Sequence, residues 1–141
     1  MKLASYLYQG RKSYGIATER GMIDLGRHLG QRYPDLKALL AGNALAQAQA
    51  LAALPADVDF DDLTFLPVIQ NPEKILCVGM NYAEKRKEFD QHNPAPTLFV
   101  RFADSQTGHA SPVIKPSLSV EFDYEGELAV IIGSAGENIS R

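Results

Sequence analysis

The chain has 141 residues, 45% of them hydrophobic and 22% charged, which is typical of a globular protein with one ordinary domain or two small ones. Its formal net charge of −3 gives no electrostatic reason to expect nucleic acid or an anionic membrane as a partner. No apolar run approaches the roughly 18 residues that span a bilayer, and the single cysteine excludes an internal disulfide, so we expect a cytoplasmic protein.

The first residues predict short strands joined by turns. The segments KLASYLY and SYGIAT are rich in β-branched and aromatic residues and flank a turn signal at residues 9–12. A second turn at Arg20 and Gly21 precedes a brief MIDL segment. The pattern therefore predicts a hairpin followed by a third short strand.

Helical spacing begins after this sheet. Pro34 and Asp35 open the segment LKALLAG, and Gly42 is placed to end it. Asn43 is a candidate N-cap for a second helix, ALAQAQALAAL, whose leucines are loosely consistent with helical spacing. This alanine-rich helix either docks on the sheet or serves as a linker, and we favour docking.

A polar, acidic connection at residues 55–62 marks the predicted domain boundary. We expect a small α/β N-terminal domain over residues 1–68 and a second domain over residues 69–141. The segment LTFLPVI, residues 63–69, predicts a strand after the acidic connection. In the second domain, KILCVG and TLFVRF predict strands and NYAEKRKEF predicts a helix. The last segment, YEGELAVIIG, predicts a strand that is covered on both faces, because it is apolar throughout beyond Leu128.

Three carboxylates alternate at the start of that last segment. In a strand Asp123, Glu125 and Glu127 share one face, spaced about 6.6 Å apart along the backbone. Repulsion between neighbours would be about 0.6 kcal/mol in water and about 2.5 kcal/mol at an effective dielectric constant of 20. A solvated face therefore needs no explanation, whereas a cleft requires a cation such as Mg²⁺, Mn²⁺ or Ca²⁺. Spacing alone leaves both interpretations open.

Other candidate residues lie in loops or next to strand ends. Tyr82, Lys85 and Glu88 follow a predicted strand, where chemistry is often located, although an exposed charged helix has the same pattern. His109 is a candidate base in a loop, or simply a solvated histidine. Arg101 alternates with apolar residues and suits a carboxylate ligand.

Taken in order, four fragments resemble the fumarylacetoacetate hydrolase family: KILCVGMNYAEKRKE, PTLFVRF, SPVIKP and DYEGELAVIIG. The resemblance covers residues 72–133, and the opening of the chain resembles the small N-terminal domain of many members. It implies an α+β protein whose catalytic domain is a mixed β-roll around Mg²⁺ or Mn²⁺. It also implies that Glu125 and Glu127 are metal ligands, with Asp123 beside them.

The resemblance implies an enzyme acting on a small 2-oxo or 1,3-dioxo acid from aromatic or sugar catabolism, and a homodimer. Hydrolysis of a C–C bond is the expected reaction. Decarboxylation, tautomerisation or dehydration on the same scaffold is the alternative. In each case the metal chelates the oxo-acid and stabilises the enolate.

The chain departs from the family pattern at the lid motif, where Glu88 matches but Lys85 stands in place of a histidine. Lysine ordinarily keeps its proton at pH 7, so activation of water by this residue is disfavoured. The departure therefore favours a lyase or isomerase over a hydrolase. His109 is a candidate to supply the imidazole, and Arg101 and Tyr82 are expected to bind substrate. Arg101 stands where the family commonly has lysine.

The family's third metal-binding carboxylate belongs to a later part of its catalytic domain. We therefore expect the chain to be the N-terminal fragment of one about twice as long, inactive without the rest. A non-catalytic truncated product is the alternative.

Overall fold

The structure is a computed structural model that describes residues 1–88, 97–124 and 126–140. Its strands are β1 (Lys2–Tyr8), β2 (Arg11–Thr18), β3 (Gly21–Asp24), β4 (Leu63–Leu66), β5 (Ile75–Gly79) and β6 (Thr97–Arg101). Its helices are α1 (Leu25–Leu29), α2 (Leu36–Ala41), α3 (Leu45–Ala50) and α4 (Ala83–Glu88), with 3-10 turns at Phe60–Asp62 and Ala103–Ser105.

The chain forms two compact units. One consists of Met1–Ile69 with Thr107–Arg141, and the other of Gln70–Gln106. The predicted boundary between domains at residue 68 stays a prediction, because compactness alone does not show which parts of a chain fold independently. The predicted α+β class is confirmed as far as the mixture of helices and strands is concerned.

The first unit contains a four-stranded antiparallel sheet in the order β3-β2-β1-β4. The predicted hairpin of β1 and β2 is confirmed. Its two-residue turn, Gln9 and Gly10, has positive φ at both positions, +48° and +76°. This geometry matches the right-handed twist of the paired strands, which explains why glycine stands at the second turn position.

Each face of this sheet has its own apolar cluster, because alternate residues along a strand point to opposite sides. One cluster includes Tyr14, Ile16 and Ile23 and packs against the helices. The other is formed by Tyr6, Met22 and Val58. The N-terminal sheet is therefore covered on both sides.

The helices begin and end close to where the sequence predicts, with one correction. The Asp35 side chain caps α2 by accepting a hydrogen bond from the backbone N–H of Ala38 (2.7 Å), and Gly42 follows its last residue. The prediction that Asn43 caps α3 is wrong, because Ala44 occupies that position without a side-chain cap. Asn43 instead has a φ of +51° in the turn between α2 and α3.

Helix α3 docks on the core through its small residues. Ala44 and Ala48 are fully buried. Of the three leucines at helical spacing, Leu51 packs against the core cluster, whereas Leu45 and Leu54 are exposed. Docking of the alanine-rich helix, which we favoured over a linker, is therefore confirmed.

The second unit contains the antiparallel pair β5 and β6, with Cys77 opposite Phe99 and Ile75 opposite Arg101. Helix α4 follows β5 after a short loop. Alternation places Phe99 and Arg101 on one face of the pair, and Leu98 and Val100 on the other.

The strand predicted at YEGELAVIIG is not formed in the described residues 126–140, which have no regular secondary structure. Leu128, Val130 and Ile132 are mostly exposed. A strand is stable only when its backbone pairs with a neighbouring strand, and a run of apolar residues does not supply that neighbour. The mixed β-roll therefore stays an expectation. No helix among the described residues is long and apolar enough to cross a bilayer.

Candidate functional site

Three of the candidate residues lie together at the C-terminal end of β5. Tyr82 precedes α4, and Lys85 and Glu88 lie on the helix, where their side chains form an ion pair with an Nζ to Oε2 distance of 3.0 Å. Tyr82, Lys85 and Glu88 are all exposed. The arrangement places a carboxylate and an ammonium group side by side on an exposed surface.

A fourth residue of this segment, Arg86, was not singled out from the sequence. Its Nε donates a hydrogen bond to the carbonyl oxygen of Met80 (2.6 Å), and its Nη2 donates to that of Asn81 (3.2 Å). The only available sequence signal was an arginine on a short helix directly after a strand end, which is too common to be specific.

Arg101 lies at the end of β6 with its guanidinium carbon 5.2 Å from the centroid of the Phe99 ring. This distance is typical of a cation–π contact, which stabilises an exposed pair by about 0.5–1 kcal/mol. The ring covers part of the guanidinium, and the group remains exposed to solvent. Arg101 is therefore oriented and still able to bind a carboxylate.

His109 belongs to the first unit, where its ring meets that of Phe65 edge to face, with centroids 5.6 Å apart. The preceding Gly108 packs so closely on β4 that an added Cβ would overlap the carbonyl oxygen of Phe65. The ring of Phe60 lies next to that of Phe65, at 6.2 Å. The structure thus gives His109 an aromatic packing contact on the edge strand.

The predicted metal ligands are only partly described. Glu125 lies outside the described residues, and Glu127 is exposed in a segment without regular structure. The carboxylate of Asp123 accepts a hydrogen bond from the backbone N–H of Tyr124 (2.8 Å). Glutamate oxygens are ligands that Mg²⁺ and Mn²⁺ favour. Within the described ranges, no three His, Cys, Asp or Glu side chains converge, so these residues alone do not form a complete metal centre.

A buried acid lies elsewhere, in the N-terminal sheet. Asp24 is fully buried and accepts hydrogen bonds from Ser13 Oγ (2.5 Å) and Arg11 Nη2 (2.6 Å). It also caps α1 through the backbone N–H of Arg27 (3.3 Å). Burial alone would raise the pKa of Asp24, but the hydrogen bonds from Ser13 and Arg11 and the charge of Arg11 lower it below its ordinary value.

Two tyrosines complete this polar interior. Burial raises the pKa of Tyr14 to about 12, and its hydroxyl donates to the carbonyl oxygen of Tyr33 (2.6 Å). Burial also raises the pKa of Tyr6, whose buried hydroxyl lies next to Ser13 and Asp24. Both groups lie in the packed core, so we assign them to stability.

Comparison with known proteins identifies the second half of the chain. Residues 74–141 match the family model of the fumarylacetoacetate (FAA) hydrolase C-terminal domain. The chain is 41% identical over 92 residues to human mitochondrial oxaloacetate tautomerase FAHD2B, covering 64% of this chain and 29% of that protein. It is 43% identical over 79 residues to the Xenopus laevis mitochondrial oxaloacetate tautomerase fahd2, covering 55% of this chain and 25% of that protein.

Two further comparisons include the N-terminal half. An uncharacterized protein from Staphylococcus epidermidis is 29% identical over 164 residues, covering 100% of this chain and 54% of that protein. A crystal structure of an HpcE protein from Mycobacterium smegmatis superposes with a TM-score of 0.61 at 24% identity, covering 82% of this chain and 41% of that one. The structural likeness concerns the fold alone. The chain spans less than a third of the length of the tautomerases it matches. Through residues 74–141, the chain belongs to the fumarylacetoacetate hydrolase family.

Proposed function

We propose that this chain is part of an enzyme that interconverts the keto and enol forms of a small 2-oxo acid of the oxaloacetate class. The observation that carries the proposal is the Lys85–Glu88 ion pair at the end of β5. The names of the mammalian and amphibian relatives, oxaloacetate tautomerases, support the same reaction.

The proposed chemistry is a proton transfer between carbon and oxygen. The Glu88 carboxylate takes a proton from the carbon beside the keto group, and the electron pair of the broken C–H bond moves onto the carbonyl oxygen. The Glu88 carboxyl group then gives this proton to the enolate oxygen, which becomes the enol, and Glu88 returns to its carboxylate form. Lys85, held 3.0 Å from Glu88, supplies a positive charge beside the developing negative charge.

Substrate binding is assigned to two residues of the same unit. Arg101 binds a substrate carboxylate, because a guanidinium offers two parallel N–H donors to the two carboxylate oxygens. Tyr82, exposed before α4, offers a hydroxyl for a further hydrogen bond. The contact with Arg101 requires an anionic group, which the carboxylate of a small oxo-acid provides.

A divalent cation, Mg²⁺ or Mn²⁺ and less readily Ca²⁺, is proposed on the carboxylates of Glu125 and Glu127. When bound, it would stabilise negative charge on the oxygen atoms of the oxo-acid. A homodimer in the cytoplasm also remains a proposal. The matched human and Xenopus proteins are named mitochondrial.

Hydrolysis of a C–C bond is the second candidate reaction. It needs an activated water molecule, and Lys85 stands where the family has the histidine that would serve as the base. Identifying the products therefore separates the two candidates. Tautomerisation conserves every atom of the substrate, whereas hydrolysis yields two smaller acids.

The experiment measures keto–enol conversion of oxaloacetate by ultraviolet absorbance, with and without added Mn²⁺, in the whole enzyme of which this chain is proposed to be part. Glu88→Gln is the test variant and Glu84→Gln, on the same exposed helix, is its control. If Glu88 is the base, its variant loses about a hundredfold or more in rate while the control stays near wild type. Equal rates for both variants and the wild-type whole enzyme would refute the assignment.

A further inference from the structure

Helix α4 requires an explanation for its stability. It has six residues, none of them buried, whereas an isolated helix in water is marginal below about 12–15 residues. In proteins most helical stability comes from packing an apolar face, and α4 has no such face. Its position therefore depends on specific polar contacts.

Arg86 supplies those contacts. It is the one residue of α4 that is not fully exposed. Its guanidinium donates to the carbonyl oxygens of both Met80 and Asn81, at 2.6 and 3.2 Å, and its backbone N–H donates to the carbonyl oxygen of Tyr82 (3.1 Å). A single side chain thus joins the helix to the strand end and to the connecting loop.

The loop itself needs such support. Met80, the first residue after β5, has a φ of +55°, a left-handed conformation that is uncommon for residues other than glycine. In this conformation its carbonyl oxygen accepts the shorter of the two Arg86 hydrogen bonds. The bond favours this turn over the extended alternative and so fixes the direction in which the chain leaves β5.

We propose that Arg86 is a positioning residue for the reaction: by binding the Met80 and Asn81 carbonyls, it holds α4 so that Tyr82, Lys85 and Glu88 face substrate together. The catalytic part of this inference rests on the proposed function, while the structural part does not. Arginine is required because its planar group presents donors in a fixed fork, whereas the lysine ammonium is a single point charge.

The test uses the 141-residue chain and three variants. Arg86→Met removes the donors, Arg86→Lys keeps the charge without the fork, and Lys87→Met removes a neighbouring charge that makes neither contact. Amide hydrogen exchange is followed by NMR across α4 and across the β1–β2 hairpin. The Nε–H resonance of Arg86 reports its own hydrogen bond.

We expect amide exchange in α4 to become about tenfold faster or more in both Arg86 variants and to stay unchanged in Lys87→Met. The hairpin should keep its protection in all four proteins, and the Arg86 Nε–H should be protected in wild type. Three outcomes overturn the inference: wild-type protection in Arg86→Met, full rescue by Arg86→Lys, or equal loss of protection in α4 and the hairpin.

Oxaloacetate conversion separates this inference from the proposed function. If the exchange results hold but the wild-type whole enzyme, which contains this chain, shows no Glu88-dependent conversion, the proposed function fails and the Arg86 contact stands. If conversion depends on Glu88 but is unchanged in Arg86→Met, the positioning role fails. A positioning role lowers kcat more than it raises KM, since substrate carboxylate binding by Arg101 is retained.

Discussion

Replacing Asp24 by asparagine should destabilise the N-terminal unit substantially. The carboxylate is buried and accepts hydrogen bonds from Arg11, Ser13 and the backbone of Arg27. An asparagine has one acceptor oxygen in place of two and presents an NH₂ group to donors. Asparagine is a good N-cap, so the bond to the helix start can survive, but one of the two side-chain donors loses its acceptor.

The magnitude follows from these contacts. A hydrogen bond to a charged group contributes about 1.5–3 kcal/mol. The ion pair with Arg11 contributes less to stability, because 53% of the Arg11 side chain is exposed. Such ion pairs contribute about 1 kcal/mol or less. We therefore expect Asp24→Asn to lower the free energy of unfolding by about 2–3 kcal/mol at pH 7. Asp61→Asn, at an exposed position, should change it by less than about 0.5 kcal/mol.

Urea unfolding is the appropriate assay, followed by tyrosine fluorescence since the chain has six tyrosines and no tryptophan. The pKa of Asp24 is lowered in the folded state, so its stabilisation is present above its unfolded-state pKa, about 3.9, and is lost as the pH falls through the folded-state pKa. The difference in free energy of unfolding between wild type and Asp24→Asn should therefore become smaller in acid. A difference in free energy of unfolding below about 0.5 kcal/mol at pH 7, or one that becomes larger in acid, would refute this reasoning.

Three further predictions concern single side chains. Arg11→Met should raise the folded-state pKa of Asp24, so that acid destabilisation begins at a higher pH than in wild type; coincident urea midpoints across the acid range would contradict this. Phe99→Leu should remove the ring-current shift of the Arg101 Nε–H resonance, and Phe99→Tyr should keep it; equal spectra for the two variants would exclude the stacking contact. His109→Leu should leave oxaloacetate conversion near wild type, because the ring packs edge-on against an aromatic neighbour; a loss of about a hundredfold would instead identify a catalytic base.

Local patterns in the sequence predicted the elements that are stabilised by contacts between residues close together in the chain. The turn at Gln9 and Gly10 determines its own hairpin, and Asp35 caps the helix that follows it. For α3 the pattern predicted docking, and Ala48 and Leu51 pack on the core while Leu45 and Leu54 are exposed. Residue spacing identifies candidate core positions by hydrophobicity, whereas the distance between a helix and a sheet determines which side-chain sizes fit between them.

The candidate site was predictable to a smaller extent. Lys85 and Glu88 meet as the helical spacing suggests. The contacts of Arg86 depend on the left-handed turn at Met80, and nothing in the amino-acid order signals positive φ at a methionine. Asp24 was missed although it directly precedes a helix, which is an N-cap signal, because it ends a short apolar segment assigned as a strand.

The strand order β3-β2-β1-β4 has a consequence for how the sheet assembles. The first three strands are consecutive and joined by tight turns, so they can pair with little loss of chain entropy. Strand β4 reaches β1 only after the three intervening helices and the acidic connection have closed a long loop. We expect refolding to protect the backbone amides of β2 before those of β4 in pulse-labelling exchange. Simultaneous protection of both strands would show that the sheet instead condenses in a single step.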